Sequence, residues 1–447
     1  MIRLQNQIRL AAIRRLRPVR TVIVTGFLSL VILNGGMISS IHAQCNNQVN
    51  FLPDGTFDLD GMVTTDIGNQ TADEAHDIVV QPDGKLVVAG EAGASEWNFA
   101  VVRYLANGSL DQTFASGGIA RVDFADRVDL ASGVALQSNG KIVVVGSTCV
   151  LNDNSTCNFA LTRLNPNGTR DLTFGGFGQL GRVTTDFGGD LDEARKVNLQ
   201  TDGRIVVVGR SLTSNGMVFA VARYNSDGTL DASFGGDGRA TFAVGSFADA
   251  YDLAIQPDGK IIVVGGGEGN FRAIRINLNG TIDSSFGPRG KVSIDFSGKL
   301  DIASSVAIQS DGKIVIGGAA QPAVGNFFEA ALVRLNANGT LDSSFDGDGR
   351  FTQDFTPGND SITDLEVEST FGTVTFVANS DSPGTYILAA YYPSSIFPGC
   401  VATFSTLAND NRQVFGLAVH GSKIYVAGYH FVPFDFFVAA FETNFPM

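Results

Sequence analysis

The strongest constraint on this chain is that it repeats itself. The stretch IQPDGKIIVVGG at Ile255–Gly266 has counterparts in VQPDGKLVVAG from Val80, LQSNGKIVVVG from Leu136, LQTDGRIVVVG from Leu199 and IQSDGKIVIGG from Ile308. The turn glycine falls at Gly84, Gly140, Gly203, Gly259 and Gly312, in steps of 56, 63, 56 and 53 residues. A period of that size marks one supersecondary unit copied along a chain. Each copy continues with a second apolar run (FAVVRY from Phe99 through EAALVRL from Glu329). A turn with an aspartate follows (NGSLDQTF from Asn107 through NGTLDSSF from Asn338), and then a glycine-led run such as GRVTTDF. Two degraded copies, LEVESTFGTVTFVANS from Leu365 with TYILAAYY and FGLAVHGSKIYVAG from Phe415 with FFVAAF, bring the count to seven.

Each unit reads as four short strands. The V-A-I-Q and K-I-V-V-V-G runs are joined by Asp-Gly or Asn-Gly, which supplies the positive φ of a tight hairpin. The second run is apolar at nearly every position, so both its faces are covered. Units of this kind bury their faces by stacking radially on one another. The expected fold class is all-β: a seven-bladed β-propeller of four-stranded blades, with six blades as the alternative count if the degraded copies merge. A content of 53 Gly, 5 Met and a single Trp suits a turn-rich β protein. The last copy stops at FFVAAFETNF without a fourth strand, while FLPDGTFDLDGMVTTDIG near the start is a turn and fourth strand alone. An N-terminal outer strand is therefore expected to close the propeller and remove two sheet edges. The expected units are about 69–125, 126–187, 188–244, 245–297, 298–356 and 357–405, with 51–68 joining 406–447, all in one domain over 44–447.

The unit D-x-A-x-x-V-A-I-Q-P-D-G-K-I-V-V-V-G, followed by F-A-V-A-R-Y-N-x-D-G-T-L-D-x-S-F-G-x-x-G, resembles the bacterial delta-60 repeat, a propeller-forming repeat of secreted proteins. The resemblance covers residues from about 51 to 356 and is looser beyond. It implies the fold and export, and no activity. The first hairpin is also similar to that of WD-repeat propellers, which places the V-A-I-Q strand innermost. The Gly-His and Trp-Asp signature of WD repeats is missing.

No acidic residue precedes Asp54. Arg3, Arg9, Arg14, Arg15, Arg17 and Arg20, the apolar run VIVTGFLSLVIL and then SIHAQ form the pattern of a secretory signal over 1–43. The apolar run is broken at Asn34, Gly35 and Gly36, which makes it short for a membrane span. The expected location is secreted or periplasmic, with no membrane insertion once the signal is removed. Taking those six arginines from 31 cationic side chains leaves 25 against 45 acids, a net of −20. Such a body excludes nucleic acid and anionic membrane surfaces as partners. An unidentified protein or glycan is the expected partner of a monomer. In an oxidising compartment Cys149 and Cys157, which flank VLNDNST, are disulfide candidates, and Cys45 and Cys400 are the remaining two.

A residue that recurs in every repeat is normally architectural, and a site needs its residues once. One carboxylate precedes each inner strand: Asp73, Asp129, Asp192, Asp249, Asp301, Asp360 and Asp410, with the register off by one at Asp249, Asp360 and Asp410. With His76 beside it, this ring at one mouth of the central channel is the candidate for a divalent cation. The competing reading has each aspartate accept N–H groups from its own turn. Arg103, Arg163, Arg223, Arg275 and Arg334 stand where a calcium loop would need its first ligand, and pair instead with Asp111, Asp171, Asp231, Asp283 and Asp342. GGGEGN at Gly265–Asn270 lacks the lysine and helix of a phosphate loop. The two late copies lose the arginine and gain aromatics. Tyr391, Tyr392, Tyr429, His430 and Phe431 form a candidate ligand face. No cofactor is expected beyond that cation, and no catalytic set stands out. The leading reading is a non-enzymatic binding or interaction scaffold for a protein, glycan or cation. The alternative is a metal-dependent enzyme with its site at the acidic channel mouth.

Overall fold

A computed structural model describes residues 51–443 apart from 69–71, 94–96, 126, 151–152, 297, 370–371, 382–385, 393–399, 406–411 and 432–433. The expected signal segment 1–43, Cys45 and Asp410 lie outside the described residues, as do the side chains of Cys400 and Phe431. No helix among the described residues is long and apolar enough to cross a membrane.

The N-terminal strands are β1 (Phe51–Pro53) and β2 (Met62–Thr65). Blade 1 is β3 (Ala72–Val80), β4 (Leu86–Gly93), β5 (Asn98–Tyr104) and β6 (Ile119–Val122); blade 2 is β7 (Arg127–Leu136), β8 (Ile142–Val150), β9 (Asp153–Leu164) and β10 (Arg182–Thr185). Blade 3 is β11 (Asp192–Leu199), β12 (Ile205–Thr213), β13 (Gly216–Tyr224) and β14 (Arg239–Phe242); blade 4 is β15 (Asp249–Ile255), β16 (Ile261–Gly267), β17 (Asn270–Ile276) and β18 (Lys291–Ile294). Blade 5 is β19 (Asp301–Ile308), β20 (Ile314–Ala320), β21 (Glu329–Leu335) and β22 (Arg350–Gln353); blade 6 is β23 (Asp360–Val367), β24 (Val374–Ser380), β25 (Tyr386–Tyr392) and β26 (Cys400–Ser405). Blade 7 is β27 (Arg412–His420), β28 (Lys423–Phe431) and β29 (Phe434–Thr443), joined by β1 and β2. Within each blade consecutive strands pair as neighbours, so seven separate sheets form.

In the first hairpin Gln81 N–H donates to the Lys85 carbonyl at 2.7 Å and Gly84 N–H to the Gln81 carbonyl at 2.8 Å. Gly84 takes φ 80°, a conformation that favours glycine. Strand β4 is buried along its whole length, because its sheet is covered on both faces. Seven apolar cores result, each drawn from two adjacent blades. Val87, Ala89 and Val101 pack on Val134 and Val144 of blade 2. The opposite face, Ala75, Ile78 and Val88, packs on Ala418, Tyr425 and Ala427 of blade 7.

The expectation of four-stranded blades closed by an N-terminal strand needs correction. No sheet is closed by hydrogen bonds, and blade 7 has five strands, with β1 and β2 both paired to β29. The ring is completed by side-chain packing between blades 7 and 1, which is non-directional and needs no shared ladder.

Polar clasps tie neighbouring blades together. Arg223 Nε donates to Asp231 Oδ2 at 2.8 Å, and its Nη1 reaches the Leu278 carbonyl of the next blade at 2.6 Å. The guanidinium also lies over Phe234, 4.8 Å from the ring centroid. Arg103, Arg163, Arg275 and Arg334 make the same pairing with Asp111, Asp171, Asp283 and Asp342. In these five units the hairpin lysine or arginine adds a second cation, as Lys260 does on Asp283 at 2.8 Å. In blade 7 the N-terminal segment supplies the equivalent carboxylate, Asp54, to Lys423 at 2.5 Å. The turn sequence Asp227–Thr229 is an Asx turn: Asp227 Oδ1 accepts from the Thr229 N–H at 3.0 Å and its hydroxyl at 2.7 Å. Cys149 and Cys157 form a disulfide across facing positions of β8 and β9, with 2.05 Å between the sulfurs.

One irregularity recurs in all seven blades. The inner strand bulges after Ala75, Ala131, Ala194, Ala250, Ala303, Ile362 and Val414, leaving one residue out of register with the second strand. The bulge presses the inner strand onto its neighbour. A Cβ on Gly209 would lie 1.9 Å from the Glu193 carbonyl oxygen, and Gly90, Gly146, Gly265, Gly318 and Gly428 face the same constraint. The glycine that ends each K-I-V-V-V-G run is therefore the imprint of the bulge. Blade 6 carries Ala378 there.

Candidate functional site

The residues left out by the bulges are His76, Ser132, Arg195, Tyr251, Ser304, Thr363 and Phe415. All seven are half-exposed, and all but Arg195, which precedes half-exposed Lys196, stand between buried neighbours. They touch from blade to blade: the His76 and Phe415 rings are 5.3 Å apart, the Arg195 guanidinium lies 5.8 Å from the Tyr251 ring, and Ser132 Oγ donates to the Ala194 carbonyl at 2.8 Å. They form a collar at the axis, one residue per blade.

A second row flanks the collar on the second strands: Glu91, Ser147, Arg210, Gly266, Ala319, Asn379 and Tyr429. The two rows divide the mouth chemically. Blade 1 holds Glu74, His76 and Glu91, with His76 Nε2 3.0 Å from Glu91 Oε1 and 3.9 Å from Glu74 Oε2. Burial works against charge on His76, yet Glu91 and Glu74 prevail and hold its pKa above the ordinary value. Burial, reinforced by Glu91, raises the Glu74 pKa. Blade 7 adds an aromatic shelf, Phe415 stacked on Tyr429 at 5.7 Å. Burial and the charges of Glu74 and Glu91 push the Tyr429 phenol up to about 12. Across the mouth, Arg195 and Arg210 both bind Asp249, at 3.2 and 3.1 Å, and both bind Glu193.

Immediately below lies a polar layer, buried apart from half-exposed Lys196 and built by the residues that follow the bulges. Lys196 of blade 3 puts Nζ 2.9 Å from Asp77 Oδ1 of blade 1 and 3.8 Å from Asp364 Oδ2 of blade 6. These blades are not neighbours, so the side chains meet across the axis and fill it at this level. Ser305 Oγ lies 3.0 Å from both Asp252 Oδ2 and Asp364 Oδ1 and shares its one proton between them. Asp77, Asp252 and Asp364 each also accept an N–H of the following blade, from Val134, Val306 and Leu417. Burial raises Asp252 to about 7 and Glu366 to about 7. Asp364 and Asp77 keep Lys196 firmly protonated against its burial.

The predicted aspartates are placed differently. Asp73, Asp129, Asp192, Asp301 and Asp360 stand four residues before the post-bulge position and accept the N–H of Ile67, Phe124, Phe187, Phe296 and Phe355 at 2.6–2.9 Å. Each clamps its own inter-blade loop, as in the local-bonding reading. Burial raises Asp301 to about 6. Asp360 is in register with the others. Among the described aspartates Asp249 is shifted, to the position of Glu74. Among the described residues, groups of three potential ligands within 4.8 Å are Glu74–His76–Glu91 and Asp66–Asp73–Asp435, so Asp73 is grouped with carboxylates other than its counterparts in the repeat.

The candidate aromatic residues are placed apart from one another. Tyr391 is buried between blades 5 and 6, 4.7 Å from Phe345 and 4.8 Å from Phe351. It occupies the place of Tyr104 and Tyr224, the core tyrosines of intact units. Tyr392 packs half-buried beside the core of blades 6 and 7, and His430 is half-buried at the edge of blade 7. Tyr429 belongs to the axial mouth. Sequence reasoning missed Glu74, Glu91, Arg195, Arg210, Tyr251 and Phe415. Their signal was available: aligned on the glycine of the second strand, the bulge position reads His, Ser, Arg, Tyr, Ser, Thr, Phe.

A model described as domain of unknown function (DUF5122) beta-propeller matches residues 81–114, 137–174, 200–234, 256–286 and 309–345. The fold is a seven-bladed β-propeller related to that domain. No curated protein matches the chain. Similar solved structures include Sqt1 from Chaetomium thermophilum, at 14% identity and TM-score 0.48, covering 83% of this chain and 97% of that one. A protein from Lactobacillus plantarum gives 8% identity and TM-score 0.45, covering 80% and 91%. An extracellular domain ascribed to the one component system BT4673 of B. thetaiotaomicron gives 11% identity and TM-score 0.42 over 88% of this chain, which spans 40% of that one. The fold assignment rests on the sheet order and the inter-blade cores.

Proposed function

We propose that this chain is an exported propeller of the delta-60 repeat kind that acts as a binding scaffold and seats a glycan at its axial mouth. The observation that carries this reading is the collar. At the one position per blade freed from both the ladder and the core, the repeat changes chemistry in nearly every copy, while the clasp residues around it recur. Half-exposed aromatic faces beside charged hydrogen-bonding groups are what a sugar needs from a concave seat. Phe415 and Tyr251 offer the half-exposed faces, with Tyr429 buried behind Phe415; Arg195, Arg210 and Glu193 offer the polar edges. Export is supported by the basic–apolar N-terminal segment and by the Cys149–Cys157 disulfide. The competing reading, a metal-dependent enzyme at the same mouth, draws on the Glu74–His76–Glu91 group alone.

A glycan array tests the seat. The full chain should bind a defined set of features, an R195A/Y251A variant should lose them, and a D202N variant in a remote hairpin should keep them. A blank array, or binding unchanged in R195A/Y251A, would refute it.

A further inference from the structure

We propose that Glu74, His76 and Glu91 form a binding site for one divalent ion of the zinc class. Three observations converge on it. The donor set is one imidazole and two carboxylates on adjacent strands of blade 1, with all three ligand atoms within 4.8 Å of one another. Tetrahedral zinc with ligands at about 2.0 Å holds them about 3.3 Å apart. The 3.0 and 3.9 Å separations from His76 Nε2 are within small side-chain movements of that geometry.

The second observation is independent of the clustering. Glu91 is 6% exposed, and its Oε2 finds no hydrogen-bond donor among the described residues. A buried carboxylate oxygen without a partner costs about 1–3 kcal/mol. Its other oxygen already faces His76, so the unpartnered one is held in the same group. A cation seated there would satisfy it.

The third is the support behind the ligands. Glu74 and Glu91 face each other across the β3–β4 ladder, so a rigid backbone sets their spacing. Phe415 packs on the His76 ring and limits its rotation. An imidazole ligand favours zinc-class ions over calcium or magnesium, which take oxygen. Three protein ligands leave a position open towards the half-exposed mouth, as sites that accept water or an incoming ligand do.

This deepens the reading of the mouth as a ligand seat, and its test is separate. Equilibrium dialysis of the untagged full chain against Zn²⁺, with the metal counted by mass spectrometry, should give about one ion per chain. E91Q and H76Q should each weaken binding at least tenfold, and D202N should leave it unchanged. Both substitutions sit at a half-open mouth, and far-UV circular dichroism verifies folding. Should H76Q fail to fold, E91Q, which keeps its shape, decides alone. No stoichiometric zinc, or zinc held equally by E91Q, overturns the site. Array binding is scored with zinc and with EDTA, so glycan binding in EDTA with no bound zinc would sink the metal site and spare the seat.

Discussion

Replacing Lys196 with methionine probes the layer that fills the propeller axis. The ammonium sits 2.9 Å from Asp77 and 3.8 Å from Asp364, with Asp252 and Glu366 close by. At an effective dielectric near 20 those two pairings are worth about 6 and about 4 kcal/mol before desolvation is subtracted. Methionine keeps the apolar stem of the side chain, one atom shorter, and removes the charge. Asp77, Asp252 and Asp364 keep their N–H partners from the next blade but lose the Lys196 cation. The penalty has a ceiling, because the layer can take up protons instead. Neutralising a carboxylate of ordinary pKa at pH 7 costs about 4 kcal/mol, falling by about 1.4 kcal/mol per pH unit. Asp252 already stands at about 7, which makes it the first to respond. K196M should therefore lose about 3–4 kcal/mol at pH 7.5 and about 1 kcal/mol at pH 5, in line with the cost of breaking a buried ion pair.

Urea unfolding followed by fluorescence at both pH values measures this. A K196M/D364N double variant should recover part of the loss at pH 7.5, since the cycle removes one stranded carboxylate. An equal loss at both pH values, or a loss under 1 kcal/mol at each, would show that charge across the axis does not hold these blades together.

Stability of the native chain should peak on the acid side of neutrality, between about pH 4 and 6. Folding raises Asp252, Glu366 and Asp301, so their protonation favours the fold below about pH 4 and is lost as pH rises through 6–7. Asp111 and Asp342 are depressed to about 2, mainly because hydrogen bonds and nearby cations outweigh their burial, so their contribution is lost as pH falls below about 4. Urea midpoints across pH 3–9 check this, and a flat profile from 5 to 8 contradicts it. Gly209→Ala should cost about 2–4 kcal/mol, because its Cβ meets the Glu193 carbonyl at 1.9 Å and the bulge carrying Arg195 must shift; a neutral result would mean that the blade 6 solution with Ala378 is available everywhere. C149A/C157A should lower stability by about 2–3 kcal/mol, the loop-closure value for a sequence separation of 8, without loss of sheet signal in circular dichroism.

Much of the fold could be read from the repeats, because recurrence and period are visible in one dimension. The arginine-to-aspartate clasp was legible for the same reason: a fixed offset of eight residues, as in Arg223 and Asp231, repeats in five units. The layer at the axis was not. Lys196 and Asp77 are 119 residues apart, and only the radial arrangement of blades brings them together. The collar went unread because the bulge shifts the side-chain alternation by one residue in mid-strand, and a strand read with an unbroken period of two assigns the extra residue to the wrong face. Tyr391 misled because it stands in a degraded copy, where aromatics look like departures. Counted back from its own hairpin, it is the tyrosine of the V-R-Y run. Closure misled for a different reason: matching chain ends predict which strands pair, and β2 does pair with β29, but pairing within one sheet does not close a ring.

The bulge also explains why variation collects where it does. In a propeller nearly every inner-strand side chain is committed to one of two inter-blade cores, and a change there disturbs packing on a neighbour. The recurring polar groups are equally committed: Asp73 and its counterparts to their loops, Arg103 and its counterparts to the next blade. Apart from Ser132 and Ser304, which donate to a carbonyl of the next blade, the bulge residue has neither duty. It is out of the ladder, half-exposed and supported by an alanine on one side in five of seven blades. Substitution there costs little stability, so histidine, arginine, tyrosine and phenylalanine can each occupy it in one copy of an otherwise uniform unit. The repeat thus builds a rigid collar from identical parts and leaves one residue per part, with its partner on the second strand, free to differ.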